Sequence, residues 1–233
     1  MVAQPAAGDA SGRPALADVV VVPMRRRHLR GVMAIEESVY PRSWSASLFA
    51  SELEQPETRR YLVALSPAAT GRGLRRRRPV VVGYAGLLLQ GDPAQREGHV
   101  TTVAVHPAHH RRKVASRLLV ALLGEAVELG VEAATLEVRA ANRGAQRLYS
   151  GFGFVPVGVR PGYYAETGED AVIMWAYELQ SADFTARLAR QAARLSQPGG
   201  ASGAPDLHVP WVKGRVGLAA AQPSPPLPGR WRD

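Results

Sequence analysis

The sequence predicts a mixed α/β (α+β) domain: a central mixed sheet of six to seven strands, flanked by about four helices and bounded by disordered termini. Three observations lead there. Short β-branched runs alternate with segments of helical periodicity from residue 18 to 180. A chain of 233 residues suffices for one substantial core. Residues 1–17 are rich in Ala, Gly, Pro and Asp, and residues 197–233 carry "PGGASGAP" and "QPSPPLPGRW", so neither end holds enough apolar surface to form a core of its own.

The first strand is "VVVVP" (19–23). "MRRRHLRGVMAIEESVY" then places Leu29, Val32, Met33, Val39 and Tyr40 on one helical face, which Glu36 interrupts. A second short helix follows Pro41, with Ser45 or Ser47 as its cap and Leu48, Phe49 and Leu53 on one side. Two strands, "RRYLVAL" and "VVVGYAGLLL", flank the polar and basic separator "SPAATGRGLRRRRP", and a third is "HVTTVAVH". The helix 114–129 stops before Gly130. "ATLEVRA" (134–140) is a strand, Asn142 suits the cap of the helix "RGAQRLYSG", and two strands around the turn "AETGED" close the domain near Leu179. Residues 181–196 form a terminal amphipathic helix, with Phe184, Leu188, Ala192 and Leu195 on one face and arginines opposite, docked on the domain.

The chain contains no cysteine, which excludes disulfides, a thiol nucleophile and thiolate metal sites. The net charge of +9 attracts phosphates and nucleic acid nonspecifically before any specific contact forms. The opening residues lack a basic head followed by an apolar run, and no apolar run approaches the ~20 residues that span a bilayer. A cytoplasmic protein without membrane association is expected.

Between the third strand and its helix lies "HHRRKVAS" (109–116). A helix start presents unpaired N–H groups and the positive end of the peptide dipoles, so Arg111, Arg112 and Lys113 are badly placed unless an anion sits there. A diphosphate on the backbone of Val114, Ala115 and Ser116 would reverse the sign; a solvated basic turn is the alternative. His106, His109 and His110 cluster nearby, but no carboxylate or thiol accompanies them and Pro107 interrupts a helical spacing, so no metal site is assigned. Strand alternation puts Thr135, Glu137 and Arg139 on one face, with Leu136 and Val138 on the other. Glu137 is then either a rim ion pair or a group in a functional cleft.

"VAVHPAHHRRKVASRLL" resembles the acetyl-CoA loop of the GNAT acetyltransferases, with His110 at the Gln/Arg position, Lys113 at the first glycine and Ala115 at the last small residue. Lysine fits there if it already lies in the helix's first turn. "TLEVRAANRGAQRLYSGFGF" and "RPGYYAETGEDAVIM" resemble the ribosomal-protein-alanine acetyltransferase branch of that family, as does "YPRSWS" near the front. The resemblance runs over about 19–179. It implies the GNAT fold, acetyl-CoA as co-substrate, and a protein or peptide N-terminus as acceptor, possibly on a small-subunit ribosomal protein. In that scheme Glu137 is the base that deprotonates the amine, and Tyr149 donates a proton to the departing thiolate. Backbone of Val103, Ala104 and Val105 pairs with the pantetheine arm, Asn142 touches the cofactor, and Trp44, Arg139, Tyr163 and Tyr164 line the acceptor slot. A core aromatic role for Tyr149 and plain sheet packing for the tyrosine pair are the competing readings. Lysine or small-amine acetylation, and a noncatalytic basic module for ribosome or RNA binding, are the functional alternatives.

Overall fold

The computed structural model describes residues 19–67, 79–92 and 95–196. The expected leader, the basic separator with "GLRRRRP" and the C-terminal tail lie outside those residues. The elements follow the order β1 (Val20–Pro23), α1 (Leu29–Val39), α2 (Ala46–Leu53), β2 (Arg59–Ser66), β3 (Val80–Gln90), β4 (Arg96–Val105), α3 (Val114–Glu128), β5 (Val131–Arg139), α4 (Arg143–Gly151), β6 (Val155–Tyr164), β7 (Glu169–Ala176) and α5 (Ala182–Ser196). The seven strands form one sheet in the order β1-β2-β3-β4-β5-β7-β6. Only β4 and β5 pair in parallel. The sheet is therefore an antiparallel meander joined at one seam to a second antiparallel unit.

Two apolar clusters cover its faces. Met24, Val32, Ile35 and Phe49 pack with Tyr61, Val63, Tyr84 and Ala104 on the side of α1 and α2. Leu118, Leu119, Leu122 and Leu123 of α3 meet Leu87, Leu136, Val138, Phe152 and Phe154 on the other side, and Phe184 of α5 joins them. Gly83 permits the close approach of α3, since a Cβ there would come within 3.0 Å of both the Ala104 carbonyl and Val114. Local signals act as expected in several places. Ser45 accepts from the Leu48 amide at 3.1 Å and Asn142 from the Ala145 amide at 3.0 Å. Gly130 takes φ 73° just beyond α3.

Leu29, Val32, Met33 and Tyr40 pack in one cluster as expected, although Tyr40 stands just beyond the helix in extended conformation, and Glu36 is buried on the same side. Val39 departs, being 37% exposed, and Ile35, absent from the expected face, is buried. The helix rotates toward Ile35 because Val32 and Ile35 together fill the space against Phe49 and Tyr84.

Candidate active site

The parallel seam opens partway along. Register between β4 and β5 runs only from Arg96↔Val131 to His99↔Thr135. Beyond it β4 continues to Val105 bound to β3 on its far side, and β5 continues to Arg139 bound to β7. Among the described residues no register joins Val100–Val105 to Leu136–Arg139. The inner edges diverge, and their backbone groups face a gap that an extended ligand can fill in place of a strand. A bulge contributes: Gly86 pairs with Thr102 but Leu87 with Val100, which leaves Thr101 as the extra residue. Val103, Ala104 and Val105 occupy the β4 side of this opening.

At its end lies the loop into α3. His110 Nε2 meets the Val105 carbonyl at 2.9 Å, and Arg112 Nη1 lies 3.1 Å from His109 Nδ1. Burial, then the charges of Arg112 and His106, lower the His109 pKa, so this imidazole favours its neutral form. Lys113 is not in the first turn of the helix. It is the residue before it, at φ 55° and ψ 18° in the left-handed region, and Arg111 also has a positive φ of 61°. A lysine there costs roughly 1 kcal/mol relative to glycine. No side chain caps α3, so the Val114, Ala115 and Ser116 amides open onto a turn carrying exposed Arg111 and Lys113. This donor set fits a diphosphate, and the lysine supplies charge at the expense of backbone ease.

At the apex of the gap Glu137 carries the titratable chemistry. Its carboxylate, 8% exposed, lies 2.7 Å from His99 Nε2 through Oε2 and 3.4 Å from Arg160 Nη1 through Oε1. The register puts His99 beside Thr135, and alternation then brings Glu137 onto the same face, opposite Leu136 and Val138. Tyr149 comes from α4 on the other side of the sheet, 9% exposed and edge-on to Phe154 at 6.0 Å. Its hydroxyl pKa is raised by burial and by its neighbours Tyr40 and Tyr164, so it stays protonated at any ordinary pH. Tyr40 packs with the α1–α2 cluster and its hydroxyl lies 3.4 Å from Thr102 Oγ1. Tyr40 and Tyr164 are thus both close enough to the Tyr149 hydroxyl to weigh on its titration.

The expected acceptor residues divide. Arg139 is committed to the β6–β7 hairpin: it pairs with Glu166 at 2.6 Å and Glu169 at 3.0 Å, and its guanidinium lies 3.9 Å from the Tyr164 ring centroid. Tyr163 and Tyr164 stand edge to face at 5.1 Å. Trp44 is half-buried against Phe49, with ring centroids 5.4 Å apart. Sequence reasoning missed His99, Arg160, Tyr40 and Tyr84. A signal for His99 existed, since "GHVTTVAV" and "TLEVRA" are the two strands flanking α3, and His99 is the one titratable side chain in the first of these runs.

A mixed sheet split at its one parallel seam, with a helix start at the end of the split and a carboxylate at its apex, defines a domain built to hold a long thin cofactor against an acceptor. The chain belongs to the acetyltransferase (GNAT) family, whose model matches residues 29–154, more than half of the chain. It is 31% identical over 152 residues to the putative [ribosomal protein bS18]-alanine N-acetyltransferase of Bacillus subtilis, covering 65% of this chain and 91% of that one. It is 37% identical over 131 residues to N-alpha-acetyltransferase RimI of Mycobacterium tuberculosis, covering 56% and 73% respectively. Among solved structures, the ribosomal-protein-S18-alanine N-acetyltransferase from Escherichia coli superposes with TM-score 0.54 at 27% identity, over 69% of this chain and 94% of that one. The protein is an N-acetyltransferase.

Among the described residues no helix is long and apolar enough to cross a membrane.

Proposed function

We propose that this chain transfers the acetyl group of acetyl-CoA to the N-terminal α-amine of a protein, with the alanine end of a ribosomal protein as the favoured acceptor and no acetyl-enzyme intermediate. The observation that carries this reading is the opened β4–β5 seam with the His99–Glu137 pair at its apex. Relatives named for acetylating the alanine of ribosomal protein bS18 support the choice of acceptor.

Val103, Ala104 and Val105 would hold the pantetheine arm along the β4 edge, and Arg111, Arg112 and Lys113, with the amides of Val114, Ala115 and Ser116, the diphosphate. Asn142, already spent as the cap of α4, would present its amide nitrogen to the same cofactor. When bound, acetyl-CoA supplies the activated acetyl thioester. A peptide α-amine has a pKa of about 7.7–8.0 and arrives mostly protonated at neutral pH. Glu137 takes that proton, and His99 holds the carboxylate by its 2.7 Å contact so that the lone pair of the amine faces the gap. Tyr149, which stays protonated, would supply the proton that a departing thiolate needs. Trp44, Tyr163 and Tyr164 form the walls of the acceptor slot, and Arg139 acts on that slot by fixing Tyr164.

The test pairs a peptide beginning with free alanine against the same sequence blocked at its terminus but carrying a lysine, read by mass spectrometry. Acetylation at the α-amine is expected. Glu137→Gln is expected to lower kcat by about 10²–10⁴ with the acetyl-CoA Kd within twofold. Modification confined to the lysine, or a Gln variant as fast as wild type at every pH, would overturn the reading.

A further inference from the structure

A carboxylate lies inside the core beneath the acceptor slot. Glu36 of α1 is 2% exposed, among Val32, Ile35, Phe49 and Tyr84. No salt bridge reaches it among the described residues. Its oxygens have two donors instead: Oε1 accepts from the Tyr84 hydroxyl, and Oε2 accepts from the Trp44 amide at 2.6 Å. Burying a carboxyl without a cation is costly, and an apolar side chain at 36 would avoid that cost. What the carboxyl adds is a bond to each of two separate elements.

Those elements are the α1–α2 connection and β3, the strand that backs β4. Trp44 N–H belongs to the irregular connection between α1 and α2, which also carries Tyr40 with its contact to Thr102 on β4. Tyr84 lies on β3 in register with Ala104 on β4. The contacts form a closed circuit: Glu36 to the Trp44 amide, the Trp44 ring to Phe49 at 5.4 Å, Phe49 edge-on to Tyr84 at 5.6 Å, and Tyr84 back to Glu36. Removing the Glu36 carboxyl would leave the Trp44 end of the connection without its side-chain hydrogen bond, with an amide and a buried hydroxyl both lacking their acceptor.

We propose that Glu36 is a positioning residue, fixing the Tyr40–Ser45 connection at the height of β4 so that it forms one wall of the acceptor slot; the inference rests on the acetyl-transfer reading above. It acts on acceptor binding and leaves the cofactor side untouched. Gln at 36 keeps a bond to each element, its carbonyl accepting from Trp44 N–H and its amide donating to the Tyr84 oxygen, with the direction of the second bond reversed. Leu keeps the volume and loses both.

The experiment measures acceptor KM, kcat and acetyl-CoA Kd for the full chain carrying Glu36→Leu, Glu36→Gln or Tyr84→Phe, together with hydrogen exchange at the Trp44 amide. For Glu36→Leu the expected result is a peptide KM raised about tenfold, the scale of one charge-assisted hydrogen bond. Acetyl-CoA Kd stays within twofold and Trp44 exchanges faster. Gln is expected to restore both readouts to within about threefold of wild type, and Tyr84→Phe to fall between. If the Leu variant does not fold, the Gln and Phe variants carry the same comparison. A folded Leu variant with wild-type KM and a protected Trp44 amide would overturn the proposal, as would a Gln variant as impaired as Leu. Should lysine peptides be turned over while α-amine peptides are not, the choice of acceptor falls, and the same KM comparison on lysine peptides still decides the role of Glu36. If no amine is turned over, Trp44 exchange decides whether Glu36 holds the connection.

Discussion

Replacing Glu36 by glutamine removes a titration while keeping the two contacts, so it isolates the energetic consequence of burying an acid. Burial pushes this carboxyl from the ordinary 4.5 up to about 7, with the Trp44 amide bond opposing the shift. A folded-state pKa above the unfolded value means that the native state prefers the protonated acid. The stability it contributes is present in full below pH 4.5 and is lost as pH rises through 7. The distance from 4.5 to about 7, at ~1.4 kcal/mol for each tenfold change in proton affinity, makes the loss about 3 kcal/mol. Glu125 is also pushed to about 7 by burial, but it titrates in both proteins and cancels in the difference. Urea unfolding of wild type and Glu36→Gln at pH 4.5, 6, 7 and 8 is the assay. The variant is expected to match wild type near pH 4.5 and to exceed it by about 3 kcal/mol at pH 8. A difference that stays flat within ~0.5 kcal/mol over that range would refute the reasoning, because it would mean that the folded protein does not penalise the charge.

Tyr149→Phe is expected to lower kcat by about tenfold or more while the peptide KM stays near wild type, with product thiol release followed by a thiol reagent; an unchanged kcat would return Tyr149 to the core cluster in which it is packed. Lys113→Gly is expected to raise stability by ~1 kcal/mol in urea unfolding, because glycine meets no Cβ penalty at φ 55°. The same variant is expected to bind acetyl-CoA equally well or more weakly by calorimetry, and a pronounced gain in affinity would show the lysine obstructing the cradle.

How much of this was legible depended on whether the signal was local. The caps at Ser45 and Asn142 and the stop at Gly130 are set by one or two residues each, and alternation in "TLEVRA" correctly separated Glu137 from Leu136 and Val138. The conformation of Lys113 stayed open because a helix start is uncertain by a residue or two from sequence, and one residue separates an ordinary helical φ from the left-handed one it adopts. Glu36 was visible as the charge that interrupts an apolar face, but its acceptors' partners lie 8 and 48 residues away, so its burial could not be read from spacing. Arg139 was legible as a residue on the Glu137 face of its strand. That two acids of the β6–β7 hairpin would claim it depended on the pairing of β5 with β7.

Strand register explains how the His99–Glu137 pair forms at the seam. His99 is the last residue of β4 in register with β5, and its neighbour there is Thr135. Glu137 lies two residues further on the same face, at the diagonal position that long side chains can bridge. One residue of slip would exchange Glu137 for Leu136 or Val138 and turn the carboxylate into the core beside α3. The divergence begins immediately beyond this pair, so the same register that brings a histidine to a carboxylate also ends the ladder and leaves the β4 edge available. A substitution that extended the pairing to Val100–Leu136 would add backbone bonds to the sheet and close the gap that the proposed reading assigns to acceptor and cofactor, so on that reading a more complete ladder would be a less active enzyme.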